Sequence, residues 1–363
     1  TKTGASDDNS VGGNTFVGNS TLTNTGSDRF SFGNGSVDIF GANLDIVNSG
    51  TSDMLVFQNN ASHSVTGDLT ITNTATASSG ENDVYVGNNS ANVLSIGGNV
   101  SLVNSGSANN NRIYFPNQGA ITVGGTVDVV NSSTGTSGHV YLANNSNSSL
   151  VVTGNTSVSN SGTGTTSRIY VGNYGPVTFT GSLALINNSG SNNSQIYCND
   201  RSSSLGTYNG DITMQVLDES SDGIHFGYQD GVAVLQADNT ISIPGGATKY
   251  VGGYLWFENF SHLGTTAVSL ELASTATQLY NEDSNWGGDV VFEAPRMYTR
   301  GTTYSGTSSL TKTGASDDNS VGGNTFVGNS TLTNEGSNRF NFGNGTADIF
   351  GANLDIVNSG TSD

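Results

Sequence analysis

The sequence predicts an all-β chain wound as a right-handed parallel β-helix, with three strands per coil and about 12 coils in each 310-residue period. Three observations carry this expectation: a long internal repeat, a shorter repeat of three strand-like segments inside it, and Asn residues recurring at fixed places in those segments. Composition leaves room for disorder, because 50 of the 363 residues are Gly and only 11% are charged. Against disorder stand short alternating apolar runs such as Arg168-Ile169-Tyr170-Val171, a period-two pattern that belongs to strands.

The long repeat is nearly exact. Thr1 to Asp53 returns as Thr311 to Asp363, differing only at Thr25/Glu335, Asp28/Asn338, Ser31/Asn341, Ser36/Thr346 and Val37/Ala347. Residues 1–310 therefore read as one period, regular over 1–210 and looser over 211–310, and residues 311–363 begin the next. Further copies end to end are the expected partners.

Stacking similar segments exposes the short repeat. Leu44–Asn48, Leu69–Asn73, Val100–Asn104, Val127–Asn131 and Leu183–Asn187 form a first column. Val84–Asn88, Ile113–Asn117, Val140–Asn144 and Ile169–Asn173 form a second, and Leu94–Gly98, Ile121–Gly125, Leu150–Gly154 and Val177–Gly181 a third. Alternate strand residues share a face, so Leu69, Ile71 and Asn73 point the same way. Val65 and Gly67 continue that parity, which makes Gly67 a tight corner with no inserted loop. The other two corners accept Ser/Asn/Gly-rich insertions such as 105–111 and 132–138. A right-handed turn is the default for parallel crossovers.

Inward Asn residues are expected to stack. Asn24, Asn48, Asn73, Asn104, Asn131, Asn160 and Asn187 recur at the first loose corner, and Asn34, Asn59, Asn88, Asn117, Asn144 and Asn173 at the second, with Asp200 following. A buried amide must be hydrogen-bonded or costs about 1–3 kcal/mol, so each Asn should bond the turn backbone and the Asn above. From 211 on, Val216, Gly245, Leu272 and Ala294 replace the first set. Lys2 and Lys312 also take inward ladder positions, where Asp317 or Asp318 is the expected partner of the second.

Candidate surface chemistry is sparse. The outward position of the second strand carries Tyr85, Tyr114, Tyr141, Tyr170 and Tyr197, then His225, Trp256, Tyr280 and Tyr298. Such a stripe can be a stabilising ladder, a lateral contact between fibres, or a platform for sugars. Arg29, Arg112, Arg168 and Arg296 lie just before these strands, within reach of cation–π contact. Asp218, Glu219 and Asp222, or Asp317 and Asp318, offer oxygen ligands for Ca²⁺, but without a defined loop spacing; no other cofactor is implied. Cys198, the single cysteine, excludes an internal disulfide and sits inward as a core residue.

The net charge of −19 argues against nucleic acid and anionic membrane surfaces as partners. No apolar run approaches the roughly 20 residues that span a bilayer. An ice-binding face would need a regular Thr array, and the outward pairs of the first strand are irregular.

Gly323-Asn-Thr-Phe-Val-Gly-Asn-Ser-Thr-Leu-Thr-Asn334 and Leu310-Thr-Lys-Thr-Gly314 resemble the giant repetitive surface proteins of Bacteroidota, and are similar to the β-strand repeats of autotransporters and haemagglutinin-like adhesins. The resemblance implies an extracellular filament or cell-surface adhesin, bacterial, without catalytic residues. The competing expectation is a polysaccharide-degrading β-helix, a lyase, hydrolase or tailspike-like depolymerase. Such enzymes need clustered acids beside a basic residue, whereas Asp38, Asp45 and Asp128 read as scattered outward acids.

Overall fold

The computed structural model describes residues 1–76, 81–276, 278–318 and 320–361. Among them every strand pairing is parallel, and the chain visits three faces in rotation. The second column becomes a 12-stranded sheet and the third a 14-stranded sheet. The first column splits into sheets of nine and five strands. The chain is a β-solenoid, with two single-turn 3₁₀ segments as its described helical elements.

The predicted columns hold in register. Leu69, Ile71 and Asn73 lie opposite Val100, Leu102 and Asn104, which lie opposite Val127, Val129 and Asn131. Ile113, Ile121 and Val129 belong to different faces of one buried core that runs unbroken from Leu22 to Leu332. The tight corner behaves as expected. A Cβ on Gly154 would come within 2.6 Å of the Gly125 carbonyl oxygen, so this corner has no room for a side chain, although Ala42 takes the same position beneath Gly67.

The second copy continues the first without a seam. Phe292 pairs with Leu310, Leu310 with Leu332 and Leu332 with Ile356, while Tyr304 pairs with Phe326 and Phe326 with Phe350. Following the ladder position from Lys2 through Asn24, Asn48, Asn73, Asn104, Asn131, Asn160, Asn187, Val216, Tyr250, Leu272 and Ala294 leads, in twelve steps, to Lys312. Of the five positions that differ between copies, Thr25, Ser36 and Val37 are exposed, as are Glu335, Thr346 and Ala347. The copies vary mainly where the core does not constrain them.

One coil departs from the expected register. The ladder residue there is Tyr250 and not Gly245, which is exposed with φ 92°. Pro244 has no N–H for the parallel ladder and ends the strand Ile241–Ser242. Gly245 and Gly246, both with positive φ, then lead into a 3₁₀ turn at Ala247–Lys249, and Tyr250 drops into the core above Val216. Its hydroxyl donates to the Tyr254 carbonyl at 2.9 Å and accepts from the Ile224 N–H at 3.3 Å, taking over the corner-closing work of the missing amide. This bulge is where the first sheet breaks in two.

Cys198 is fully buried, and burial pushes its thiol up well beyond the usual range. A thiol reagent should leave the native rod unmodified and label Cys198 only once denaturant is added. Rapid labelling under native conditions would mean that this coil opens.

Candidate functional site

Chemistry-bearing side chains concentrate at the two loose corners and on the outer face of the second sheet between them. The first corner holds the inner ladder. Asn24, Asn48, Asn73, Asn104, Asn131, Asn160 and Asn187 are all completely buried. From Asn104 to Asn187 each Nδ2 donates to a carbonyl seven residues on, at Asn111, Gly138, Ser167 and Ser194, over 2.8–3.0 Å. The same Nδ2 reaches the Oδ1 of the next rung, at 3.0 Å for Asn104 to Asn131 and 3.1 Å for Asn131 to Asn160. The amide chain is not continuous: Oδ1 of Asn73 and Oδ1 of Asn104 receive no hydrogen bond. Around Asn73 the insertion is longer, and the amide closes on the Asn82 carbonyl instead.

Lys312 is inward and buried, but its partner is not a carboxylate. Its Nζ donates to the Gly314 and Asn338 carbonyls at 2.7 and 2.9 Å, and Lys2 repeats this with Gly4 and Asp28. Because the acceptors are main-chain atoms, the Asp28/Asn338 difference between copies is harmless. Asp318 accepts from the Met297 N–H at 3.0 Å.

The second corner corrects the parity argument. Asn34 is exposed, Asn59, Asn88, Asn117 and Asn144 are half-buried, and only Asn173 and Asp200 are buried. Except before Asn117, which follows Pro116, a left-handed residue lies one or two positions ahead of each: Gly33 (φ 73°), Phe57 (φ 57°), Gly87 (φ 66°), Ala143 (φ 51°), Gly172 (φ 76°) and Asn199 (φ 61°). Positive φ breaks the two-residue alternation, so Val56 and Phe57 both point inward and the following Asn turns toward the rim. The ladder exists nonetheless. Nδ2 of Asn117, Asn144 and Asn173 donates to Oδ1 of Asn88, Asn117 and Asn144 at 2.6, 2.8 and 2.9 Å.

Between the corners lies the aromatic stripe. Tyr85, Tyr114, Tyr141, Tyr170 and Tyr197 stack with centroids 4.6–5.1 Å apart and planes within 8° of parallel. His225, Trp256, Tyr280 and Tyr298 extend the stack at 4.3–5.9 Å. The rings of the tyrosine run face one another along the rod, so the surfaces that would lie against a sugar are occupied by neighbouring rings. Their hydroxyls are taken as well. Each is held by the side chain two residues earlier in the chain: Tyr85 by Asp83 at 3.1 Å, Tyr114 by Arg112 at 3.2 Å, Tyr141 by His139 at 2.8 Å, Tyr170 by Arg168 at 3.3 Å, and Tyr197 by Gln195. Arg29 instead pairs with Asp7, and Arg296 bonds the Asp317 carbonyl.

No protein-family model, curated protein or solved structure matches the chain.

Burial sets the electrostatics of this face. Asp83 is wholly buried, and desolvation lifts its carboxyl to about 7 although Arg112 pulls the other way. His139 lies in register between Arg112 and Arg168; burial first, and then those two cations, push it down to about 3. The partners two residues before each Tyr were legible as a polar column (Asp83, Arg112, His139, Arg168, Gln195), but parity alone did not assign them a task.

Two groups of acids differ from expectation. Asp38 is buried, not outward: it ends the turn before the strand Ile39–Phe40, its Oδ1 accepts from the Asn14 N–H at 3.0 Å, and His63 lies beside it. Glu258 and Glu282 are direct neighbours across two strands, with Arg300 2.7 Å from Glu282 and 3.2 Å from Asp283. Burial pushes Glu282 up to about 7, with Arg300 opposing and Glu258 adding to it. Its own ion pairs knit this cluster together. Among the described residues no three His, Cys, Asp or Glu side chains gather as a metal site, and no helix is long and apolar enough to cross a membrane. Within the proposed Ca²⁺ group, Asp218 accepts from the Ser220 N–H at 2.8 Å.

A further column was missed. Asx residues directly before the first strand, several following the corner Gly, cap the corner of the coil above. Oδ1 of Asp68 accepts from the Asn99 N–H at 2.7 Å, Asn99 from Thr126 at 2.9 Å, Asp211 from Thr240 at 2.8 Å and Asp289 from Thr307 at 2.7 Å. The Gly-Asx pairs 67–68, 98–99, 154–155, 210–211 and 288–289 carry that signal in the sequence.

Proposed function

We propose that this chain is a structural repeat of a long extracellular filament or cell-surface adhesin, working as a stiff rod. The observation that carries the reading is the join between copies, where Phe292, Leu310, Leu332 and Ile356 follow one another as ordinary neighbours of one sheet. Tandem periods stacked this way need no linker, and each coil covers the strand edges of the one below. Continuous parallel hydrogen bonding, the inner amides and the aromatic stack resist bending together. The acidic surface keeps neighbouring rods apart in solution.

Twelve coils at about 4.8 Å each give an axial repeat of about 58 Å. Low-dose imaging of filaments built from two or more periods should show that spacing. A repeat far from it, or periods hinged against each other, would remove the reading.

A further inference from the structure

We propose that a groove at the upper end of the outer amide ladder binds an uncharged hexose-type saccharide, giving one sugar site per 310-residue period. The groove encloses about 280 Å³, room for a sugar ring or two, between the phenol edges of Tyr141 and Tyr170 and the corner residues Asn173, Tyr174, Asp200 and Arg201.

The ladder itself creates the binding chemistry. Each Asn donates downward, Asn144 to Asn117 and Asn173 to Asn144. The next rung is Asp200, and its main-chain N–H bonds the Gly172 carbonyl at 3.1 Å, so it stands directly above Asn173. An ionised carboxylate has no proton to give. The upward donation therefore stops, and no side chain in the described structure donates to Oδ1 of Asn173. A carboxylate and an amide oxygen stand side by side as acceptors, suited to a pair of sugar hydroxyls.

Asp200 is otherwise an expensive choice. It is buried, and desolvation lifts its carboxyl to about 6 even with Arg201 opposing. An Asn here would extend the ladder at no charge cost. Arg201 holds the carboxylate at 2.9 Å and also lies over Tyr174, 5.5 Å from the ring centroid. Tyr174 stands outside the aromatic stack and is 41% exposed. It is the aromatic surface beside these acceptors against which the apolar face of a pyranose can rest. Arg201 is neutralised by Asp200, so the groove offers no spare positive charge to an acidic ligand.

Repetition would matter more than single-site strength. Sites about 58 Å apart on one rod convert weak contacts into avidity on a sugar-bearing surface. That amplification rests on the tandem reading; the site itself does not.

The test presents the 363-residue chain to an array of neutral hexose, hexosamine and uronic-acid oligosaccharides, followed by saturation-transfer NMR with the best ligand. Binding of a neutral member is expected. Tyr174→Ala and Asp200→Asn should each weaken it about tenfold or more, with unchanged far-UV circular dichroism. In the second variant the new amide would donate to Oδ1 of Asn173 and withdraw the acceptor. Tyr298→Ala, on the same face but far from the groove, should bind as the parent does. No neutral ligand, a preference for uronic acids, or binding that survives both substitutions would overturn the proposal. Any of these leaves the axial repeat, and the rod reading with it, untouched.

Discussion

Asn131→Leu is expected to lower the free energy of unfolding by about 3 kcal/mol or more, while Asn117→Ala lowers it by less than about 1 kcal/mol. Asn131 gives hydrogen bonds to the Gly138 carbonyl, Asn160 Oδ1 and Ser167 Oγ at 2.9, 3.1 and 3.0 Å, and accepts one from Asn104 at 3.0 Å. Leucine has a similar size and none of these capacities. It withdraws the donor from the Gly138 carbonyl and the acceptor from one N–H of Asn104 in a fully buried corner, and each group left short of a partner costs about 1–3 kcal/mol, while Asn160 Oδ1 keeps the Ser167 hydroxyl at 2.8 Å. Asn117 makes the same amide contacts, at 2.6 and 2.8 Å, on a half-buried rim where water can replace them. Urea unfolding of the two variants checks this. Equal losses would mean that the inner ladder is no more than decoration on an aliphatic core.

The second large effect is pH-dependent. Asp83→Asn should stabilise the rod by about 4 kcal/mol at pH 8 and by well under about 1 kcal/mol near pH 4. The carboxyl is near 3.8 when unfolded and about 7 when folded. Between those values the folded state binds more protons, so stability tied to Asp83 rises as pH falls from about 7 to 4, and is diminished above 7. Asparagine keeps an oxygen for the Tyr85 hydroxyl and carries no charge to desolvate. His139 works in the opposite sense. It is lowered from 6.5 to about 3, so its neutral form is favoured by folding. Stability is complete above pH 6.5 and falls toward pH 4, by about 3 kcal/mol from this residue alone. His139→Gln should remove that loss and make the rod relatively more acid-resistant. Denaturant midpoints at pH 4, 6 and 8 for the parent and both variants provide the measurement. A constant offset between Asp83→Asn and the parent across that range would show that the buried carboxyl does not titrate as its surroundings require.

Much of the site region was visible in the letters, and the part that was not has a definite cause. The Tyr column, the inner Asn column and Lys312 all sit where two-residue alternation puts them. Asn88 and Asn144 do not, because Gly87 and Ala143 adopt positive φ and a one-dimensional pattern cannot report the sign of a dihedral. Ala143 and Phe57 are ordinary L-residues that carry no turn signal, yet they are held left-handed by the stacked corner around them. Tyr250 escaped for a related reason: the bulge at Pro244 shifts the chain by five positions, and Gly245 stood where the pattern pointed.

The 310-residue period, the three columns and the choice of a parallel solenoid were determined by sequence alone. In a solenoid each coil touches mainly its neighbours, so periodic spacing along the chain is already a map of contacts in space. Tertiary structure decided what those columns do at their edges. It turned the outer amides to the rim, closed the tyrosine faces against one another, buried Asp38 and Asp83, and set Asp200 above Asn173 with Arg201 and Tyr174 beside it. Those outcomes depend on dihedral signs at the corners and on which polar group is left without water, and both emerge only when one coil is laid upon the next.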